Sequence, residues 1–240
     1  MAMRLDRLLS ELGVASRSEL KRIIRGGRVS VDGAAVTEPE RRVDPEGCEI
    51  RLDGELLRWK RFRYFMMDKP AGVLSVTEDR KQRTVLDLLP PELRRLGLFP
   101  VGRLDKDTSG LLILTNDGDF AHRVISPKSG VTKRYRAEVE GTPNEEDARA
   151  FADGLVLADG TRCLPAKLEV SGGSVCFVTV MEGKYHQVKR MLAARGKPVR
   201  ELRRLSVGEL ELGGELGPGG FRELDSEDLC KVLRDFAIGK

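Results

Sequence analysis

The chain of 240 residues suits one large domain or a small and a medium one, and its hydrophobic share of 40% is enough for a real core. No apolar run approaches the roughly 18 residues of a membrane span, and the N-terminus is amphipathic rather than signal-like, which points to a cytoplasmic protein. The net charge is only +4, but charged residues make up 33% of the chain, so their distribution matters more than their sum. In chain order, Leu5, Leu8, Leu9 and Leu12 fall at helical spacing and mark one apolar face, ended by Gly13. Ser16 and Glu19 form a capping box for a second helix that buries Leu20, Ile23 and Ile24 and stops at Gly26-Gly27. Val29-Ser30-Val31 then alternates, and Asp32-Gly33 turns it into Ala35-Val36 as a hairpin. The second helix and its exit carry Arg17, Lys21, Arg22, Arg25 and Arg28 against the single acid Glu19. A solvated helix face normally mixes signs, so this one-signed face reads as an anion-binding surface, with nucleic acid as the partner it suits.

Met3-Arg4-Leu5-Asp6-Arg7-Leu8-Leu9, Ser16-Arg17-Ser18-Glu19 and Gly27-Arg28-Val29-Ser30-Val31-Asp32-Gly33 resemble the S4-type RNA-binding module. In that module the basic second helix and the following loop contact structured RNA through phosphates. The rest of the segment, residues 38–57, is charged and punctuated by Gly and Pro, with Ile50 and Leu52 as a short strand. The domain boundary is expected near residue 60, giving an S4-like unit over 1–60 and a larger domain over 61–240.

In the larger domain, Tyr64-Phe65-Met66-Met67 is a strand broken by a turn at Asp68-Lys69-Pro70-Ala71-Gly72. A short helix is expected over 84–89, ended by Pro90-Pro91. Then comes a charged, glycine-bounded loop, Gly102-Arg103-Leu104-Asp105-Lys106-Asp107-Thr108-Ser109-Gly110. It leads into Leu111-Leu112-Ile113-Leu114, a strand buried on both faces, and the turn Asn116-Asp117-Gly118. By itself the loop is either a solvated, ion-paired turn or a polar group mounted on a rigid strand, with Asp105 and Asp107 as rival carboxylates.

A helix over 119–125 follows, then a strand over 132–139 with Lys133, Tyr135, Ala137 and Val139 on one face. Tyr135 beside apolar neighbours reads first as a core residue. A capped helix begins near Thr142-Pro143-Asn144-Glu145 and ends at Gly154, and strands are expected over 164–170 and 175–180. Val188, Met191 and Leu192 form a buried helical stripe in Lys184-Tyr185-His186-Gln187-Val188-Lys189-Arg190-Met191-Leu192. From Lys184 to Arg204 there are eight Lys/Arg residues and one acid, Glu201, which reads as a second basic surface suited to RNA. A strand region over 202–212, a loop over 213–220 and a helix capped by Asp225, with Leu229, Val232, Leu233 and Phe236 inward, complete the chain. Strands with scattered helices, without strict β-α alternation, predict an α+β fold with a mixed, mainly antiparallel sheet. The four cysteines form no C-x-x-C pair and there are only two histidines, so free thiols and no metal site are expected.

Four motifs in one order carry a second resemblance: residues 64–72, Gly102-Arg103-Leu104-Asp105 through Gly110, Lys133-Arg134-Tyr135, and His186-Gln187-Val188-Lys189-Arg190-Met191. With Leu202-Arg203-Arg204 and Val207-Gly208, they resemble the pseudouridine synthases of the ribosomal small-subunit type, whose architecture includes an S4-like module. The resemblance implies isomerisation of a uridine in RNA, exchanging its C1′–N1 bond for a C1′–C5 bond. Neither redox change nor group transfer occurs, so no cofactor is implied, in keeping with the lack of a P-loop or dinucleotide fingerprint. The family's catalytic aspartate falls on Asp105 and its basic partner on Lys189, a cation that would favour the ionised carboxylate. Its tyrosine falls on Tyr135, which would stack on the extruded uracil. Arg103 would fill the vacated space or grip phosphate, Arg190 lies beside Lys189 as a further RNA contact, and Asp107 is left a structural role. The implied partner is rRNA, with 16S favoured over 23S by residues 63–70 and 126–128, no membrane, and a monomer as the default. A non-catalytic RNA-binding or assembly factor is the rival from another class.

Overall fold

The computed structural model describes residues 2–234 and Phe236. The chain divides into two compact units, one of residues up to 63 together with 89–98, the other of residues 64–88 and those from 99 onward.

In the first unit, strand β1 (Met3–Arg4) runs into helix α1 (Leu5–Glu11), followed by helix α2 (Arg17–Arg25). The Ser16–Glu19 capping box is present, with the Ser16 backbone N–H donating to Glu19 Oε2 over 2.9 Å. Strands β2 (Val29–Val31) and β3 (Ala34–Val36) form the expected hairpin. Asp32 and Gly33 take φ of 51° and 80°, the paired positive values that a tight two-residue hairpin turn requires. Strand β4 (Arg42–Val43) pairs with β1, and strands β5 (Ile50–Leu52) and β6 (Glu55–Leu56) complete a sheet of order β3-β2-β5-β6. Leu5, Leu8, Leu9, Leu20, Ile24 and Val29 are fully buried in its core.

The helix expected over 84–89 is corrected to a single 3-10 turn, Leu86–Leu88. The Asp87 carboxylate takes the Thr84 backbone N–H at 2.8 Å, while a bridge from Leu74 to Thr84 holds the chain extended, so an α-helical start is pre-empted. The prolines begin a helix rather than end one. Pro91 opens helix α3 (Pro91–Arg94), where the absent N–H costs nothing because first-turn donors are unpaired anyway.

The second unit is built on a nine-stranded sheet: β7 (Tyr64–Lys69), β8 (Phe99–Pro100), β9 (Ser109–Thr115), β10 (Lys133–Val139), β11 (Lys167–Val170), β12 (Val175–Val180), β13 (Val199–Val207), β14 (Leu210–Glu211) and β15 (Phe221–Glu223). Its path is β11-β12-β10-β13-β9-β7-β15, with β14 on β13 and β8 on β9. Every pair is antiparallel except β9–β13, so the sheet is mixed and mainly antiparallel, and the fold is α+β. Helices α4 (Gly118–Ile125), α5 (Glu145–Asp153), α6 (Gln187–Ala194) and α7 (Ser226–Val232) accompany it. Leu111 to Leu114 are buried as expected, because β9 lies inside the sheet. Phe151 of α5 and Met191 and Leu192 of α6 share one core with Ala137, Val139, Cys176 and Val178.

Two expected strands are shorter or split. The one over 164–170 starts only at Lys167, because the backbone N–H groups of Cys163, Leu164 and Ala166 donate to Leu155, Glu182 and Phe151 instead of a ladder. The one over 202–212 is a hairpin of β13 and β14, turned at Gly208, whose φ is +60°.

Lys133 shows how tightly this core is drawn. It is 7% exposed, and its ammonium donates to the carbonyls of Val124 and Val131 at 3.1 and 2.8 Å. Burial, reinforced by Arg204, lowers its pKa to about 8 from 10.5. Between those values the unfolded chain holds the proton that the folded chain has lost, so stability attributable to Lys133 rises with pH across that window. Relative to Lys133→Met, the wild-type protein is expected to gain on the order of 3 kcal/mol between about pH 8 and 10.5. Denaturant unfolding of both proteins at several pH values measures this, and a pH-independent difference would refute it.

Candidate active site

The loop from Val101 to Thr108 is held from beneath by a lysine. Strand β7 pairs antiparallel with β9, setting Lys69 opposite Gly110, and the strand continues through Asp68 and Lys69 where the sequence suggested a turn. Lys69 is fully buried, and its Nζ donates to the carbonyls of Thr108 (2.9 Å), Pro70 (3.0 Å), Asp105 (3.2 Å) and Lys106 (3.4 Å). One cation thus gathers the oxygens of four residues and satisfies backbone acceptors that a tight loop would otherwise leave unpaired. Burial lowers the Lys69 pKa to about 8, partly offset by Asp107 and Asp105. Ser75 Oγ donates to the Leu104 carbonyl at 2.8 Å and accepts its N–H at 3.1 Å, fixing the residue before Asp105.

Helix α6 supplies the opposing charge. Lys189 Nζ lies 3.1 Å from Asp105 Oδ2 and 2.5 Å from Asp107 Oδ1. Burial works against the ammonium, but hydrogen bonds to Asp107 and then Asp105 outweigh it and raise its pKa. The same hydrogen bond lowers the pKa of Asp107. Asp107 is 76% exposed and Asp105 only 25%, so the Asp107 pair is screened by water and the Asp105 pair much less. His186 adds a second contact, its Nε2 lying 3.3 Å from Asp105 Oδ1. Asp105, Arg103, Thr108, Tyr135, Lys184 and His186 line a cleft of about 80 Å³. Thr108 Oγ1 is buried there without a hydrogen-bond partner. Of the residues singled out in sequence, Asp105, Arg103, Tyr135 and Lys189 are therefore brought together from three separate segments: the loop before β9, strand β10 and helix α6.

The second basic stretch looks different in three dimensions. Lys184 pairs with Glu182, Arg190 with Asp159 (2.6 Å), Arg195 with Asp147 (2.9 Å), Arg200 with Glu140 (3.7 Å) and Arg203 with Asp68 (2.8 Å). Lys197 also approaches Asp147, at 3.9 Å, and buried Arg204 donates from Nε to the Leu111 carbonyl at 2.7 Å. A run that reads as a one-signed surface is largely spent on carboxylates distant in sequence. Arg190 in particular braces Asp159, and Arg203 and Arg204 clamp β13 to β7 and β9.

In the first unit, Arg17, Lys21, Arg22, Arg25 and Arg28 are all exposed. Arg28 is bound by Asp53, its Nε donating over 2.9 Å. Arg17 and Lys21 share a cleft with Arg4, at the end of β1, and Arg7, on the polar side of the α1 stripe, both of which sequence reasoning passed over. Among the described residues, no three His, Cys, Asp or Glu side chains gather into a metal-binding group.

Comparison with known proteins gives this arrangement its context. The RNA pseudouridylate synthase family matches residues 63–194, and the S4 domain matches residues 3–47. An uncharacterized RNA pseudouridine synthase of Bacillus subtilis, YtzG, is 46% identical over 231 residues, spanning 95% of this chain and 97% of that protein. The chain belongs to the RNA pseudouridylate synthase family. The ribosomal small subunit pseudouridine synthase A of Escherichia coli K12 is 39% identical over 235 residues, covering 96% of this chain and all of that one. A solved pseudouridylate synthase superposes with a TM-score of 0.68 at 34% identity, over 96% of this chain and 100% of its own. Within this synthase, the residues that sequence reasoning missed are Lys69, Ser75, Thr108 and His186. His186 carried a usable signal, since it stands in the same motif as Lys189. The others act through backbone carbonyls and burial, which leave no signature in residue order.

Proposed function

We propose that this synthase converts one uridine of 16S rRNA to pseudouridine, with Asp105 as the nucleophile. The observation that carries the reading is the Asp105 carboxylate, held between Lys189 and His186 at the wall of a cleft shared with Tyr135. A carboxylate among the cations of an RNA-binding protein repels phosphate, so its retention fits chemistry better than binding alone. The choice of 16S rRNA is supported by full-length similarity to enzymes named for the small ribosomal subunit.

In this reading the first 60 residues grip the RNA through Arg17, Lys21, Arg22, Arg25 and Arg28, and residues 61–240 carry the reaction. The target uridine is extruded at a cost of a few kcal/mol, with Arg103 taking its place or holding phosphate and Tyr135 stacking on the base. Asp105 attacks as the N1–C1′ bond breaks. The base then rebonds to C1′ through C5 and the bond to Asp105 is released, returning the free carboxylate; C5 loses its proton while N1 gains one, so atoms and electrons balance without an oxidant or cofactor. Lys189 stands 3.1 Å from the carboxylate as its counter-ion during the attack. The protein is taken to act as a cytoplasmic monomer.

Because formation of the C1′–C5 bond expels the C5 hydrogen, transcripts labelled with [5-³H]uridine report the reaction directly. Tritium release from 16S rRNA, absent with 23S rRNA, is the expected result. Release from 23S rRNA alone would move the substrate, and tight RNA binding with no release from either would favour a non-catalytic assembly factor. Asp107→Asn is expected to lower the release rate only a few-fold, since Asp107 is largely exposed and its pairing with Lys189 is water-screened. A dead Asp107→Asn beside an active Asp105→Asn would reverse the assignment.

A further inference from the structure

Residues 182–186, which precede α6, place an aromatic ring in water against His186, the histidine that approaches Asp105. Tyr185 is 72% exposed, the most exposed of the large apolar side chains among the described residues. Its ring stacks on that of His186, with centroids 3.9 Å apart and planes inclined by 18°. One face of Tyr185 is therefore covered and the other is open. An uncovered tyrosine face forgoes the burial that aromatic side chains ordinarily gain. The spacing of the two rings is close to the roughly 3.4 Å step of stacked bases.

The stack is rigidly mounted. The buried Glu182 carboxylate accepts from the Leu164 N–H and from Gln187 Nε2, both at 2.8 Å, and also pairs with Lys184. The Gln187 side-chain oxygen accepts a hydrogen bond from the Lys184 N–H at 3.0 Å. His186 itself holds a left-handed conformation with φ of 48°, a costly setting for a residue with a side chain. This conformation presents its ring to Tyr185 on one side and its Nε2 to Asp105 on the other. Arg190 adds a hydrogen bond to the Tyr185 carbonyl at 3.4 Å, tying the backbone of this segment to α6.

We infer that the Tyr185–His186 stack is a subsite for the nucleobase adjacent to the target uridine. It captures that neighbour by stacking while Asp105 engages the target. The subsite rests on the reading of Asp105 as the reacting group, and extends it to a second nucleotide. Every base has a π-face, so such a platform adds affinity with little demand on sequence. A pre-ordered ring also loses little freedom on binding, which is why the loop's rigidity matters.

Steady-state tritium release from 16S rRNA is measured for wild type, Tyr185→Ala and Tyr185→Phe. Tyr185→Ala is expected to raise KM about tenfold with kcat changed less than twofold, and Tyr185→Phe, which keeps the ring, to rescue KM. The exposed side chain makes a folding defect in either variant an improbable explanation, and a thermal melt unchanged from wild type checks it. The second arm uses synthetic RNA hairpins spanning the modified uridine, with the base on its 5′ or 3′ side removed. One abasic position is expected to cost wild type about tenfold and to cost Tyr185→Ala nothing further. An unchanged KM for Tyr185→Ala, equal losses in the Phe and Ala variants, or additive losses at both flanking positions would overturn the subsite. An inactive wild type would instead overturn the proposed reaction, and the subsite with it.

Discussion

Asp105→Asn is expected to lower pseudouridine formation by about ten-thousand-fold or more, while RNA affinity stays within about threefold of wild type. The amide matches the carboxylate in shape and preserves the acceptor facing Lys189 at 3.1 Å, so the loop should fold as before. What would disappear, in the proposed reaction, is the nucleophile, for which an amide oxygen is a poor substitute. Loss of one negative charge near phosphate opposes any fall in affinity. Tritium release from [5-³H]uridine-labelled rRNA gives the rate, and filter binding of the same transcript gives the affinity. Turnover within tenfold of wild type would remove Asp105 from the reaction. A parallel loss of binding would mean that the substitution had disturbed the loop rather than the chemistry.

Gly110→Ala is expected to cost at least about 3 kcal/mol of stability, or to prevent the synthase unit from accumulating in soluble form. Gly110 pairs across the β9–β13 junction, the parallel contact in the large sheet, with φ of +105°. A Cβ built there would sit 2.1 Å from the Arg204 carbonyl oxygen and 2.7 Å from its nitrogen, both backbone atoms that cannot swing aside. Arg204 is itself fixed by its hydrogen bond to the Leu111 carbonyl, so relief would have to come from parting two central strands. Gly130 separates strain from overlap, because its φ is +68° but nothing lies within 4 Å of its Cβ position. Gly130→Ala should cost only about 1–2 kcal/mol from backbone strain. Thermal or denaturant unfolding of both variants tests the contrast, and similar losses in the two would refute the role given to the close approach.

These two residues lie in the same short motif, yet they were legible to different degrees. By its own pattern the loop left Asp105 and Asp107 as rivals, and the family resemblance carried by the later motifs is what assigned the role to Asp105. Gly110 read only as the end of a loop, since nothing in residue order says that another strand's backbone will pass within contact distance. The same contrast runs through the charges. Local patterns reported the S4-like helix well, including the Ser16–Glu19 cap, because capping and amphipathic spacing act over three or four residues. They misrepresented the run from Lys184 to Arg204, because its partners Asp147 on α5, Asp159 in a turn and Asp68 on β7 reach it only through the tertiary fold.

Sequence alone therefore determined the elements whose cause is local: the helix stripes, the hairpin at Asp32-Gly33, the buried strand Leu111 to Leu114, and the α+β class that follows from their order. It also determined which residue types were available for catalysis. The tertiary structure decided what those residues meet. It brought Lys189 to Asp105 across more than eighty positions, put Lys69 beneath four carbonyls, and set His186 between the carboxylate and Tyr185. Electrostatic and packing energies depend on distance in space, and only the folded sheet converts separation along the chain into the few ångströms over which a carboxylate, an ammonium and an imidazole act together.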